Sequence, residues 1–136
     1  MVKTQYTLEE RLAKVKELRA QGYNCAQAVA MVFDDIKGID TRSAEIYSAA
    51  LGGGLGGCGL TCGAVSAMGM VSGVAHYENP LKKKELYAGV KSLSEKFLAS
   101  NGSLLCRDLR QPGKKSCDEL IREAVTLLHN QLASND

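Results

Sequence analysis

The sequence predicts an all-α fold, a compact bundle of about six helices with a glycine-rich loop before a buried central helix. Apolar residues recur at helical spacing in several segments, and helix-capping residues open those segments. No segment of the 136 residues alternates apolar and polar residues long enough for a strand. The length suits a single domain over residues 1–136 with a real core. Aromatics are 5% of the chain and Trp is absent, so that core is to be built from Leu, Val, Ala, Met and Ile.

The first helix opens on a capping box, Thr7-Leu8-Glu9-Glu10, and carries Leu8, Leu12, Val15 and Leu18 on one face. Gly22 is its expected stop. Asn24 caps a second helix with Cys25 in its first position, and the run Cys25-Ala26-Gln27-Ala28-Val29-Ala30-Met31-Val32-Phe33 predicts burial on most sides. Asp34, Asp35 and Gly38 close it. Asp40 or Thr41 begins a third helix, with Ile46, Tyr47, Ala50 and Leu51 as its apolar side.

Residues 52–61 form the glycine-rich loop, within a run without formal charge over 46–77. Thr61 is the expected cap of the central helix, with Cys62 in its first position. Gly69 and Gly73 stand four apart among small residues, a surface that lets another backbone come close. Asn79-Pro80 starts a fifth helix with Leu81, Leu86, Val90, Leu93, Phe97 and Leu98 as its stripe, ended by Asn101-Gly102. Residues 103–109 suggest one helical turn carrying Cys106. Ser116-Cys117-Asp118-Glu119 is a second capping box and opens the last helix.

The net charge of +2 calls for neither nucleic acid nor a membrane surface. The uncharged helical part, about 62–75, is shorter than the roughly 18 apolar residues of a membrane span, and the first residues lack the apolar core of a signal peptide. A cytoplasmic protein without membrane insertion is expected. The basic run Lys82-Lys83-Lys84 reads as a solvated face before a docking patch.

Five cysteines without a secretory signal argue against a disulfide framework. Buried free cysteines can pack as small hydrophobes, but their placement here points to thiolate chemistry. Asn24-Cys25, Thr61-Cys62 and Ser116-Cys117 each set a cysteine after a capping residue, at the positive end of a helix, where a thiol pKa falls. Cys106 lies among Arg107, Arg110, Lys114 and Lys115. Four such thiols could hold an iron–sulfur cluster or exchange as dithiol and disulfide. With no C-x2-C pair, local spacing supports neither ferredoxin nor zinc ligation, and the two redox chemistries stay open. Cys58 is an auxiliary thiol or a small loop residue.

Gly54, Gly56 and Gly59 spell G-x-G-x-x-G, but a helix precedes them where a dinucleotide site needs a strand, so no nucleotide is expected. The glycines, Gly57, Gly59 and Gly63 among them, are better read as letting backbone approach a cluster or thiol. His76 lies about 20 Å along its helix from Cys62, and His129 is similarly far from Cys117, so neither is a ligand beside a cysteine.

Cys25, Cys62-Gly63-Ala64, Cys106 and Cys117, with Asn24-Cys25-Ala26-Gln27-Ala28 and the glycine loop, resemble the family of small redox-active proteins named for its C–GCAxxG–C–C pattern. The resemblance covers nearly the whole chain and implies Cys25, Cys62, Cys106 and Cys117 as the four family cysteines. The chain departs from the CGAxxG motif at Ala67, and Cys58 is additional. A similar module accompanies split-Soret multihaem cytochromes, where iron–sulfur binding is implied. This chain has no C-x-x-C-H, so no covalent haem is expected.

The expectation is therefore a redox protein, an oxidoreductase or electron-transfer component that passes electrons through a cysteine-ligated iron–sulfur cluster to a redox partner protein. A metal-free thiol–disulfide protein using the same cysteines is the alternative. The third reading is a helical interaction module with inert cysteines, docking or forming a homodimer through the Gly69/Gly73 face.

Overall fold

The computed structural model describes residues 2–134. Seven α-helices follow in order: α1 (Leu8–Ala20), α2 (Cys25–Met31), α3 (Thr41–Ser48), α4 (Gly63–His76), α5 (Lys83–Asn101), α6 (Cys106–Leu109) and α7 (Cys117–Ser134). Short 3-10 turns extend α3 over Ala49–Leu51 and precede α5 over Pro80–Lys82. The architecture is all-α, as the periodicity predicts. Among the described residues the sole β interaction is an isolated bridge between Thr61 and Leu105, and no helix is long and apolar enough to cross a membrane.

The predicted caps form. Thr7 accepts from the Glu10 amide at 3.1 Å, and Glu10 accepts from the Thr7 amide at 2.9 Å. Asn24 and Gln27 make the same reciprocal pair for α2, at 2.9 and 3.1 Å. Asp40 caps α3 through the Ser43 amide. Gly22 and Gly102 follow their helices with φ of 96° and 79°, left-handed values that glycine reaches without steric cost.

The short helix α2 lies at the middle of the core, with Ala26, Ala28, Val29, Ala30 and Met31 buried, and it packs on α1, α3, α4 and α7. The buried helix α4 adds contacts to α5 and α7. Leu93 and Phe97 of α5, and Leu120, Ile121, Ala124, Val125, Leu128 and Leu132 of α7, complete one apolar cluster.

Two predicted stripes differ. Ile46 and Tyr47 of α3 are exposed, and the helix instead buries Ala44 and Ser48. Small side chains let α3 sit close to α2, which rotates the larger ones outward. Leu81 and Leu98 are also exposed. Leu81 belongs to the 3-10 turn rather than α5, so its angular position does not continue the helical stripe.

A charged network crosses the core. Arg11 donates to both Asp35 carboxylate oxygens at 2.7 and 2.9 Å, to the Val32 carbonyl at 2.6 Å and to His129 Nδ1 at 3.0 Å. Its guanidinium lies over the Phe33 ring at 4.2 Å. The Gln5 and Tyr6 amides also donate to Asp35, holding the segment before α1 onto the body. Burial opposes ionisation of Asp35, but the Arg11 and amide hydrogen bonds outweigh it and hold its pKa below the ordinary value.

Candidate functional site

Four cysteines stand at four helix starts. Cys25 opens α2, Cys106 opens α6 and Cys117 opens α7, while Cys62 is the N-cap of α4. The last point corrects the sequence reading, in which Thr61 caps and Cys62 is the first helical residue. Thr61 is instead extended and bridged to Leu105, and the Cys62 amide donates to the Leu104 carbonyl at 2.8 Å. Tertiary pairing of 60–62 with 104–107 overrides the local capping signal. That pairing also joins two cysteines, because the Cys106 amide donates to the Leu60 carbonyl at 2.6 Å.

The glycine loop is wound the unusual way. Gly53, Gly54, Leu55, Gly56 and Gly57 all have φ between 59° and 79°, forming a left-handed turn. Chirality disfavours such a turn for residues with a Cβ, hence its glycine content. The turn closes through bonds from the Gly57 amide to the Gly52 carbonyl and from the Gly59 amide to the Gly53 carbonyl. It brings backbone hard against the cysteines: a Cβ on Gly54 would lie 2.8 Å from that of Cys106, and one on Gly63 would lie 2.6 Å from the Cys25 sulfur. Asn24 Nδ2 donates to the Ala49 carbonyl, tying the start of α2 to the chain entering the loop.

Cys25, Cys62, Cys106 and Cys117 line one cavity of about 20 Å³, together with Gly53, Leu109, Arg110 and Leu120. Cys62 and Cys106 are buried, and Cys25 and Cys117 are half-buried. Cys58 is exposed and outside this lining. A space of this size holds about one water molecule. Among the described residues, no three His, Cys, Asp or Glu side chains are placed to hold a single metal ion.

Burial pushes the Cys62 thiol up to about 11, and the nearby Cys25 and Cys106 thiols act in the same direction. The Ala64 and Val65 amides facing the sulfur offset part of this. The expectation of a lowered Cys62 pKa at a helix start is thus corrected: desolvation outweighs the amides of the helix end.

The other predicted residues fall around this cavity. Gly63 packs on Cys25, and a Cβ on Gly59 would come 3.1 Å from that of Arg107. Gly57 faces open space, so its glycine serves the left-handed turn and not close approach to a thiol. Gly53, Leu109, Arg110 and Leu120 escaped the sequence reading as lining residues. Arg110 carried a signal, its closeness to Cys106 in sequence; Leu109 and Leu120 look like ordinary apolar helix positions. His129 is engaged by Arg11, and His76 Nε2 is buried without a hydrogen-bond partner among the described residues, both apart from the cavity lining.

A family model described as "Putative redox-active protein (C_GCAxxG_C_C)" matches residues 23–131, a span that contains all four cavity cysteines. No curated protein and no solved structure matches the chain.

Proposed function

This chain belongs to the C_GCAxxG_C_C family of redox-active proteins, and from that premise we propose that it carries electrons through an iron–sulfur cluster ligated by Cys25, Cys62, Cys106 and Cys117. The observation that supports this reading is the gathering of four thiols from four helix starts around one cavity. The donor set suits the group: cysteine thiolates are the usual cluster ligands, and no histidine is among the lining residues. When bound, such a cluster supplies a reversible one-electron couple.

The residues of the chain have separate parts in this proposal. As ligands the four thiols would be deprotonated, and the penalty that burial now imposes on the Cys62 thiolate would be offset by the charge of the bound metal. Helix-start amides, including those of Ala64 and Val65, donate toward sulfur and favour the ionised form. Leu109 and Leu120 keep bulk water out, and Arg110 contributes positive charge. The cavity is about the size of one water, so loading requires the thiols to part. Half-buried Cys25 and Cys117 are the accessible ones. Iron, acid-labile sulfide and visible absorbance in anaerobically purified or reconstituted protein test the proposal. Protein that stays colourless and iron-free after reconstitution sinks it.

The small cavity favours one second reading, a metal-free dithiol–disulfide couple. Two thiols join as an S–S bond, releasing two protons and giving two electrons to a disulfide or quinone oxidant. Thiol titration before and after mild oxidation separates the two: paired loss, restored by reductant in iron-free protein, supports the disulfide.

A further inference from the structure

The glycine turn holds one residue that its conformation does not favour. Leu55 has φ of 70° and is the sole non-glycine residue with positive φ among the described residues. It is also 51% exposed. Glycine would relieve the backbone and remove apolar surface from water, so neither local conformation nor burial accounts for a leucine there. Exposed Leu60 lies on the same loop, beside the Cys106 backbone. A Cβ on Gly59 would touch Arg107, which places that arginine against the loop.

Positive charge is concentrated in the segment that packs on this loop, where the Arg107 amide donates to the Gly59 carbonyl. Residues 107–115 hold four cations, Arg107, Arg110, Lys114 and Lys115, against one carboxylate, Asp108. Arg107, Arg110 and Lys114 are exposed and form no ion pair among the described residues. The groove between α1 and α7 adds Lys16 and Arg122, also exposed and unpaired among those residues, beside the Arg19–Asp118 pair. Arg110 itself lines the cysteine cavity, so the cationic segment reaches its wall.

We propose that Leu55 and Leu60, with the cationic rim of Arg107, Arg110 and Lys114, form a docking surface over the cysteine cavity for an acidic protein that presents an apolar centre. Charge complementarity selects the partner's sign and steers its approach, while the leucines supply desolvated contact. A protein fits better than nucleic acid. Neither 48–76 nor 98–134 contains Phe, Tyr or Trp, so the surface offers bases no aromatic platform. The proposal takes its purpose from the redox reading, but binding is measured without electron transfer.

The test uses full-length, reduced, iron-free protein and an acidic Glu/Leu peptide, with a Glu/Ser peptide of equal charge as comparison. Calorimetry is to show salt-dependent binding to the Glu/Leu peptide, weakened about tenfold or more in the R107E/K114E variant. Changing Lys83 and Lys84 to Glu, away from this rim, is to leave it unaltered. Leu55→Gly is to stabilise the fold in urea and yet weaken binding of the Glu/Leu peptide alone. Binding that ignores R107E/K114E, or follows the Lys83 and Lys84 changes instead, overturns the proposal. So does tighter binding to an oligouridine or to phosphatidylserine vesicles, or a Leu55→Gly variant that binds as well as the parent. Iron or thiol analysis bears on the redox reading independently, so the two can fail separately.

Discussion

The Cys25 sulfur lies 2.6 Å from where a Cβ on Gly63 would stand. The first thiol of the pattern therefore occupies the space that the glycine after the second thiol leaves open. The Leu51 carbonyl lies 2.9 Å from the same point, so the gap is bounded by backbone as well as by a side chain.

Gly63→Ala is accordingly expected to destabilise the fold by about 1–3 kcal/mol and to displace Cys25 from the cavity. Gly73→Ala gives the opposite expectation, because nothing lies within 4 Å of its Cβ position. It gains helix propensity, about 1 kcal/mol. Urea midpoints of the two variants are to move in opposite directions; two midpoints moving together would contradict the packing described.

Arg11 and Asp35 form a pair whose side chains are both 0% exposed. Removing one partner strands the other charge, so Asp35→Ala is expected to cost roughly 3–5 kcal/mol. The segment before α1 loses its anchor at the same time, since the Gln5 and Tyr6 amides bond to Asp35. Hydrogen exchange at those two amides is to accelerate beyond what global destabilisation gives; protection that merely follows the rest of the protein counts against the anchor.

The pH dependence of stability follows from two histidines and a thiol. Burial lowers the pKa of His76 and, with the Arg11 charge, that of His129, below the ordinary 6.5. The unfolded chain then binds more protons, and stability falls as pH drops below about 6.5 until the folded values are passed. The Cys62 thiol is raised from 9.0 to about 11. There the folded state keeps its proton longer, so stability falls again as pH rises above about 9. Urea midpoints of metal-free reduced protein are to peak between these limits. A midpoint that rises on acidification from about pH 7 to about pH 5 contradicts the assignment.

Thiol reactivity should follow exposure. Cys58 is exposed, whereas Cys62 is buried with its thiol raised to about 11. Alkylation of native reduced protein, mapped by mass spectrometry, is to label Cys58 first and Cys62 last. Early labelling of Cys62 would show that the cavity is open in solution.

The helices were legible wherever local chemistry decides them. Thr7 with Glu10, Asn24 with Gln27 and Ser116 with Glu119 all form their reciprocal caps. Thr61 looks like the same signal and is not a cap, because pairing with Leu105, far along the chain, claims that backbone. The small residues of α3 gave no warning that Ile46 would face outward, since which face turns inward depends on how close α2 comes. Of the cavity, Cys25, Cys62 and Cys117 could be nominated from the capping residues before them, and Cys106 from its cationic neighbours in sequence. Gly53 and Leu109 could not, because their place depends on the left-handed turn and on the fold of 104–109 against it. The wrong direction for Cys62 has a physical source: sequence shows the helix end that lowers a thiol pKa but hides the burial that raises it.

The central claim is that four of the five cysteines act as one redox centre and that Cys58 stands apart. Iron and acid-labile sulfide per chain, measured after anaerobic reconstitution of the parent, Cys58→Ser and the single serine variants at 25, 62, 106 and 117, test it most directly. Equal loading of the parent and Cys58→Ser is expected, with loss in each of the other four. No iron–sulfide loading in the parent, or loading that depends on Cys58 and survives at the other positions, would contradict it.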